Sequence, residues 1–336
     1  MIYVFDAQTL RFEYVNACAR RNLGYSAEAM RAMTPLDFKP EFNAPSFAAL
    51  LQPLRRHEQE KIVFQTEHRR ADGSRYPVEV HLQLVEQEDK AVFLAVINDI
   101  TERKQTKQRL MAFARLGRQL NSADQTEEAA RIIVGVADEL LGWDACTLAL
   151  YDARTGRCNS VLSMDIVNGQ RREVASSYVN TPPSPRMRRA LETGAELVLR
   201  EEPLAMGVGE IPFGDTSRPS ASLMIAPLRD GPQIIGVLSI QSYELHAYTP
   251  EDLDTLQALA DHCGGALARL RARAGLERQN AELGMILDTV PGIIFYKDLK
   301  HRLVRVNEAH VRSLGLPRTA IEGRTDAELG SPYEDR

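Results

Sequence analysis

One pattern occurs twice, near the two ends of the chain, and it constrains the fold more than any other feature. Residues 2–25 read "IYVFDAQTLRFEYVNACARRNLGY" and residues 293–316 read "IIFYKDLKHRLVRVNEAHVRSLGL". Asp6 aligns with Asp298, Asn16 with Asn307 after one deleted residue, and Leu23-Gly24 with Leu314-Gly315. Each copy predicts an apolar strand, a polar turn, a second strand ending in Val-Asn, and a short helix stopping at Gly. Asn suits a helix N-cap because its side-chain oxygen accepts an orphan backbone N–H. Gly suits the left-handed C-cap.

The first copy continues into "APSFAALLQPLRR", read as a helix, then "KIVFQTEHRR", "YPVEVHLQLVEQ" and "AVFLAVINDI", read as strands, with "ADGS" as a hairpin turn. Val78, Val80, Leu82 and Leu84 alternate with Glu79, His81 and Gln83, so one face of that strand is buried and the other wet. The last strand passes through Asp99-Ile100-Thr101 straight into a charged helix, without a flexible Pro/Gly linker. Strand pair, "VN" helix, "HRRADGSRYPVEV" and closing "DITERK" together resemble a PAS domain with its C-terminal PAC motif. The second copy resembles the first part of another PAS domain, ending before its three long strands, and the expectation is a piece of a longer protein.

Between the copies, Ile132, Ile133, Val136 and Leu140 have helical spacing, and "ACTLALYD" reads as a strand. "APLRDGPQIIGVLSIQSY" reads as two apolar strands. In "YTPEDLDTLQALA", Thr249 is placed as an N-cap with Pro250 at the first helical position. This pairing resembles a GAF domain. The expected fold class is α+β, with a central antiparallel sheet and flanking helices in each domain. The expected division is PAS over 1–104, a helical linker over 105–122, GAF over 123–270, a second helical linker over 271–284, and a truncated PAS over 285–336. The PAS resemblance implies that Asp99, Ile100 and Thr101 form a signal-relay hinge between sheet and output helix; a good N-cap and nothing more is the plainer alternative.

Leu253, Leu256, Ala260, Cys263, Leu267, Leu270 and Ala274 recur at spacings of 3 and 4, the a/d seam of a parallel dimer. Packing on the domain's own sheet is the competing reading, favoured by Leu259 and Ala266, which broaden the stripe. Helical spacing resumes at Leu276, Leu283 and Leu287. In the first linker Leu110, Phe113, Gly117 and Leu120 keep a 3-4-3 spacing, also compatible with a solvated helix.

At 336 residues two or three domains are expected. A net charge of −5 without a basic stripe argues against nucleic acid as partner. No run approaches the roughly 18 apolar residues of a membrane span, and Met1 opens onto a strand, so the expected location is cytoplasmic. Cys18, Cys146, Cys158 and Cys263 lie far apart with no CxxC, which fits reduced thiols and no metal site.

No catalytic motif emerges. His262 lacks the surroundings of a kinase phosphoacceptor, the cyclase Gly-Gly-Asp-type loop is absent, and His57 and His68 read as turn and strand residues. The flavin, haem, bilin and cyclic-nucleotide signatures of these families are missing, so the cofactor stays unknown. Residues 200–222 lack the ending of a phosphate cradle. The expected function is the sensory input region of a bacterial multidomain sensor, first a histidine kinase of a two-component system, relaying ligand or redox state through helical linkers to an effector beyond Arg336. A diguanylate cyclase input and a ligand-free dimerisation scaffold are the alternatives. The expected partners are a second copy of the chain and a small molecule in a PAS or GAF pocket.

Overall fold

The computed structural model describes residues 1–87, 90–175, 178–201 and 218–330. Two compact units divide the chain, 1–111 and 112–336.

The first unit opens with β1 (Ile2–Asp6), β2 (Phe12–Val15), α1 (Ala17–Leu23) and α2 (Ala27–Ala32). A 3-10 turn (Pro35–Asp37) and α3 (Ala44–Arg55) follow, then β3 (Ile62–Arg69), β4 (Arg75–Gln87) and β5 (Lys90–Asp99). The sheet order is β2-β1-β5-β4-β3, and every neighbouring pair is antiparallel. The even positions of β4 point inward: Tyr76, Val78, Val80 and Leu82 join Phe5, Phe47, Leu51 and Phe93 in one core. The "ADGS" turn forms as expected, with Gly73 at φ 88° and the Asp72 carboxylate accepting from Ser74 N–H. The chain then enters α4 (Thr101–Ser122).

The second unit holds α5 (Thr126–Leu141), β6 (Ala145–Asp152), β7 (Arg157–Val167), β8 (Gln170–Glu173), α6 (Pro185–Thr193), β9 (Glu196–Leu199), β10 (Ser222–Asp230) and β11 (Gln233–Ser242). Its six strands run β8-β7-β6-β11-β10-β9. The 40-residue α7 (Pro250–Thr289) follows, opened by a reciprocal capping box between Thr249 and Asp252. One face of the sheet carries α5, α7 and the later turns of α4, where Ala112, Leu116 and Leu120 are buried in the same core as Ile133, Leu148 and Leu238. The second half of the expected first linker is therefore core. Leu110 is exposed.

The C-terminal segment has β12 (Phe295–Lys297), β13 (Leu303–Val306), α8 (Glu308–Leu314) and α9 (Arg318–Ile321). The repeat holds at the level of single hydrogen bonds. Asn16 Oδ1 accepts from the backbone N–H groups of Ile2 and Ala19, and Asn307 Oδ1 from those of Ile294 and His310. Asp6 and Asp298 each organise the turn between their strands by accepting backbone N–H groups. Gly24 and Gly315 both end their helices in the left-handed region, at φ 79° and 65°.

Candidate functional site

At the joint between β5 and α4, Asp99 Oδ1 accepts from Thr101 N–H at 2.9 Å and from the Thr101 hydroxyl at 2.6 Å. Thr101 is the first helical residue, so the carboxylate satisfies an orphan donor at the positive end of the helix. Between them Ile100 is buried, and its N–H donates to Pro77 O of β4 at 3.1 Å. β4 pairs with β5 up to Val78–Asp99. The three residues expected at the hinge are thus tied to the sheet on one side and to the helix on the other.

Under the sheet of the first unit lies a void of about 10 Å³ lined by Tyr3, Phe38, Lys39, Phe47, Phe64 and Leu82, among others. One water needs about 10–15 Å³ of such space, so the core is filled by side chains and has no room for an organic ligand. Two ionisable groups are sealed inside it. Lys39 is 4% exposed and His68 0%. Lys39 Nζ lies 2.8 Å from His68 Nε2, and His68 Nδ1 lies 3.4 Å from the Tyr76 hydroxyl. Phe38 meets the imidazole edge-on at 4.9 Å, and the Lys39 ammonium position is 5.3 Å from the Phe64 ring centre.

Burial dominates the electrostatics. It pushes the Lys39 amine down to about 7, with only the negative charge of Glu41 pulling it back up. Burial, and then the neighbouring lysine, holds His68 far below the usual histidine range. Its imidazole is neutral, so one ring nitrogen accepts and the other donates, and when Lys39 is charged Nε2 is the acceptor and Nδ1 carries the hydrogen toward Tyr76. Glu41 does not neutralise the lysine by contact. Its carboxylate accepts from the Thr66 hydroxyl at 2.6 Å and from Glu67 N–H at 3.2 Å, and the Thr66 bond leads in holding its pKa down. Sequence reasoning passed over Lys39 and took His68 for an ordinary strand residue. A signal was present: Ile62, Phe64, Thr66 and His68 share the inward parity of β3.

In the second unit the sheet face opposite α5 and α7 carries α6. Ala149, Cys158, Met187, Ala190, Ile225 and Val237 form a separate apolar cluster there. Beside it, Ile225, Ser239, Thr147 and Ser163 stand in register across β10, β11, β6 and β7. Within that row the buried Thr147 and Ser163 hydroxyls lie 3.4 Å apart, and Ser163 reaches the half-buried Ser160 at 3.0 Å. Asp165, fully buried, accepts from the Tyr243 hydroxyl at 2.6 Å. The strand cysteines divide between the faces. Cys146 packs on the helical side, its thiol pushed up to about 12 by burial, and Cys158 faces Met187, pushed up to about 11. Trp143 closes the helical core and donates from its indole to Val134 O at 3.1 Å. His262 is exposed on α7, its ring 5.8 Å from that of Phe113. Of the loop weighed as a phosphate cradle, residues 202–217 lie outside the described residues.

The α7 stripe needs correction. Leu256, Ala260, Cys263, Leu267 and Leu270 are buried in the core of their own domain, with Leu253 packed at its margin and Ala274 exposed. A Cβ on Gly264 would stand 1.7 Å from Arg229 O of β10, so the helix rests directly on the sheet. Those side chains are committed to their own strands and are unavailable to a second copy. A helix covering a sheet and a helix pairing with a helix need the same spacing of apolar residues, hence the ambiguity. Past Leu270 the helix runs unbroken through 271–284 to Thr289, and Leu276 and Leu283 are 60% and 53% exposed.

The chain holds two consecutive antiparallel α+β domains, each with a core between sheet and helices. A PAS-domain family profile matches residues 1–102 and a GAF-domain family profile matches residues 123–268. The chain belongs to these families: it is a PAS–GAF protein. No curated protein matches it significantly. Among solved structures it is similar to the PAS domain of an HTR-like protein from Haloarcula marismortui, at 30% identity, covering 30% of this chain and 85% of that one, with TM-score 0.27. It is similar to the GAF domain of a phosphoenolpyruvate-protein phosphotransferase from Coxiella burnetii, at 19% identity, covering 50% and 96%, with TM-score 0.38. The chromophore-binding domain of an unusual bacteriophytochrome from R. palustris is 12% identical over 81% of this chain and 93% of its own, with TM-score 0.38. Among the described residues no helix is long and apolar enough to cross a membrane.

Proposed function

We propose that the chain is the input region of a bacterial multidomain sensor, organised as PAS, GAF and the start of a second PAS, and that its effector is a histidine kinase of a two-component system. A diguanylate cyclase is the alternative effector. One observation carries the relay. Strand β5 passes through a joint in which Ile100 is bonded to β4 and Asp99 to the first turn of α4, and that helix ends in the core of the GAF domain. A strain in the sheet reaches the helix through hydrogen bonds rather than through slack chain. Dimerisation, on this reading, uses α7 beyond Leu270, where Leu276, Leu283 and Ile286 are exposed.

A ligand-free scaffold is the second reading, and the filled PAS core favours it for that domain. Small-molecule binding then falls to the GAF face with its Thr147 and Ser163 hydroxyls, or to the cavity of about 210 Å³ beside β2 lined by Phe12, Arg20 and Met30. The deciding experiment reads the coding sequence beyond Arg336. A phosphoacceptor-His helix with a nucleotide-binding domain is expected; a Gly-Gly-Asp-type loop supports the cyclase, and the absence of both overturns the two effector assignments. Mass spectrometry of small molecules extracted from the purified protein separates sensor from scaffold.

A further inference from the structure

We propose that the PAS core is a proton-binding site: the Lys39 amine, sealed against the neutral imidazole of His68, takes up and releases a proton, and this protonation is the input that the hinge at Ile100 reads.

The void beside Lys39 admits about one water, which leaves the proton as the ligand that fits without rebuilding the core. Among the described residues no carboxylate lies within ion-pairing distance of Lys39. The charge that acts on it is Glu41, whose Oε2 already accepts two hydrogen bonds from β3 and which also feels Lys104 of α4. The amine is therefore poised between a neutral form that suits its apolar walls and a charged form with His68 Nε2 as its hydrogen-bond acceptor. Binding is the simple step R–NH2 + H⁺ → R–NH3⁺, with no further reactant. The other titratable groups facing the network do not compete near neutral pH. Burial pushes the phenols of Tyr3 on β1 and Tyr76 on β4 upward, and it keeps His68 on β3 neutral. Arg70 lies 4.0 Å over the Tyr76 ring.

The route outward is short. His68 pairs across the sheet with Tyr76, and the next residue, Pro77, accepts the N–H of Ile100. A charge created at Lys39 presses on His68 and Tyr76, one residue from the bond that ties sheet to output helix. This deepens the sensory reading by naming an input, and the titration itself is measurable whether or not an effector follows.

The test uses the whole 336-residue chain labelled with ¹³Cε-lysine and followed by NMR against pH. The resonance lost in Lys39→Met, or in Lys39→Gln should the first variant not fold, is that of Lys39. A midpoint near 7 is expected. A midpoint in the range of surface lysines, above about 9, overturns the proposal. Hydrogen exchange across residues 97–104, corrected for its intrinsic pH dependence, is compared at about pH 6 and about pH 8.5. It is expected to be at least about threefold faster at the lower pH, with the difference abolished in the Lys39 variant. Exchange indifferent to pH, or equally dependent on it in the variant, refutes the link to the hinge.

Discussion

The carboxylate of Asp99 accepts two hydrogen bonds from Thr101, one from the backbone and one from the hydroxyl, across the single buried residue that separates sheet from helix. Replacing Asp99 with Ala removes one satisfied donor at an exposed helix start and costs about 1 kcal/mol. Asp99→Asn keeps the acceptor and recovers most of that loss. If the joint is a relay, output of the whole sensor changes in Asp99→Ala by more than this small destabilisation explains. Unaltered signalling with the same loss of stability leaves only a cap. Denaturant unfolding and an effector assay, run side by side, separate the two.

Lys39 gives the PAS domain a particular pH dependence. Its amine titrates at about 7 in the folded chain against 10.5 when unfolded. Between those values the unfolded chain holds the extra proton, so stability rises with pH, and below 7 the full cost of the buried charge is present. Lys39→Met is expected to stabilise the domain by on the order of 5 kcal/mol below neutrality, with the gain shrinking toward zero as pH rises toward 10.5. Urea unfolding followed by hydrogen exchange in the 62–99 strands measures it. A gain independent of pH contradicts the buried amine.

Gly264 is where α7 touches β10. Gly→Ala in a helix interior ordinarily gains about 1 kcal/mol. Here the added methyl group meets the carbonyl of Arg229, and backbone cannot swing aside as a side chain can. Gly264→Ala is expected to destabilise the GAF domain by about 2 kcal/mol or more, read as a lower thermal midpoint.

The dimer claim moves with the corrected seam. Leu276→Glu with Leu283→Glu places charge on the exposed part of α7 and is expected to leave folding intact while shifting the chain to monomer in sedimentation. Mild oxidation is expected to yield no Cys263 cross-link, because that thiol is fully buried and burial pushes its pKa up. A cross-link through Cys263 would return the seam to the first half of α7.

Local chemistry is legible in order along the chain. Asn16 and Asn307, with Gly24 and Gly315, announced the caps of both repeats, and the parity of Val78, Val80 and Leu82 announced the buried face of β4, because each depends on residues within a turn or a strand of one another. Tertiary structure alone decided what covers each apolar face. The periodicity of Leu256, Ala260, Cys263 and Leu267 states that one side of α7 is dry, and only the approach of Gly264 to Arg229 says that its own sheet dries it. Lys39 and His68 are 29 residues apart, and nothing local foretells their contact. Hydrophobic burial is non-directional, so a sequence records how much surface must be hidden and leaves its partner to the packing of the whole domain.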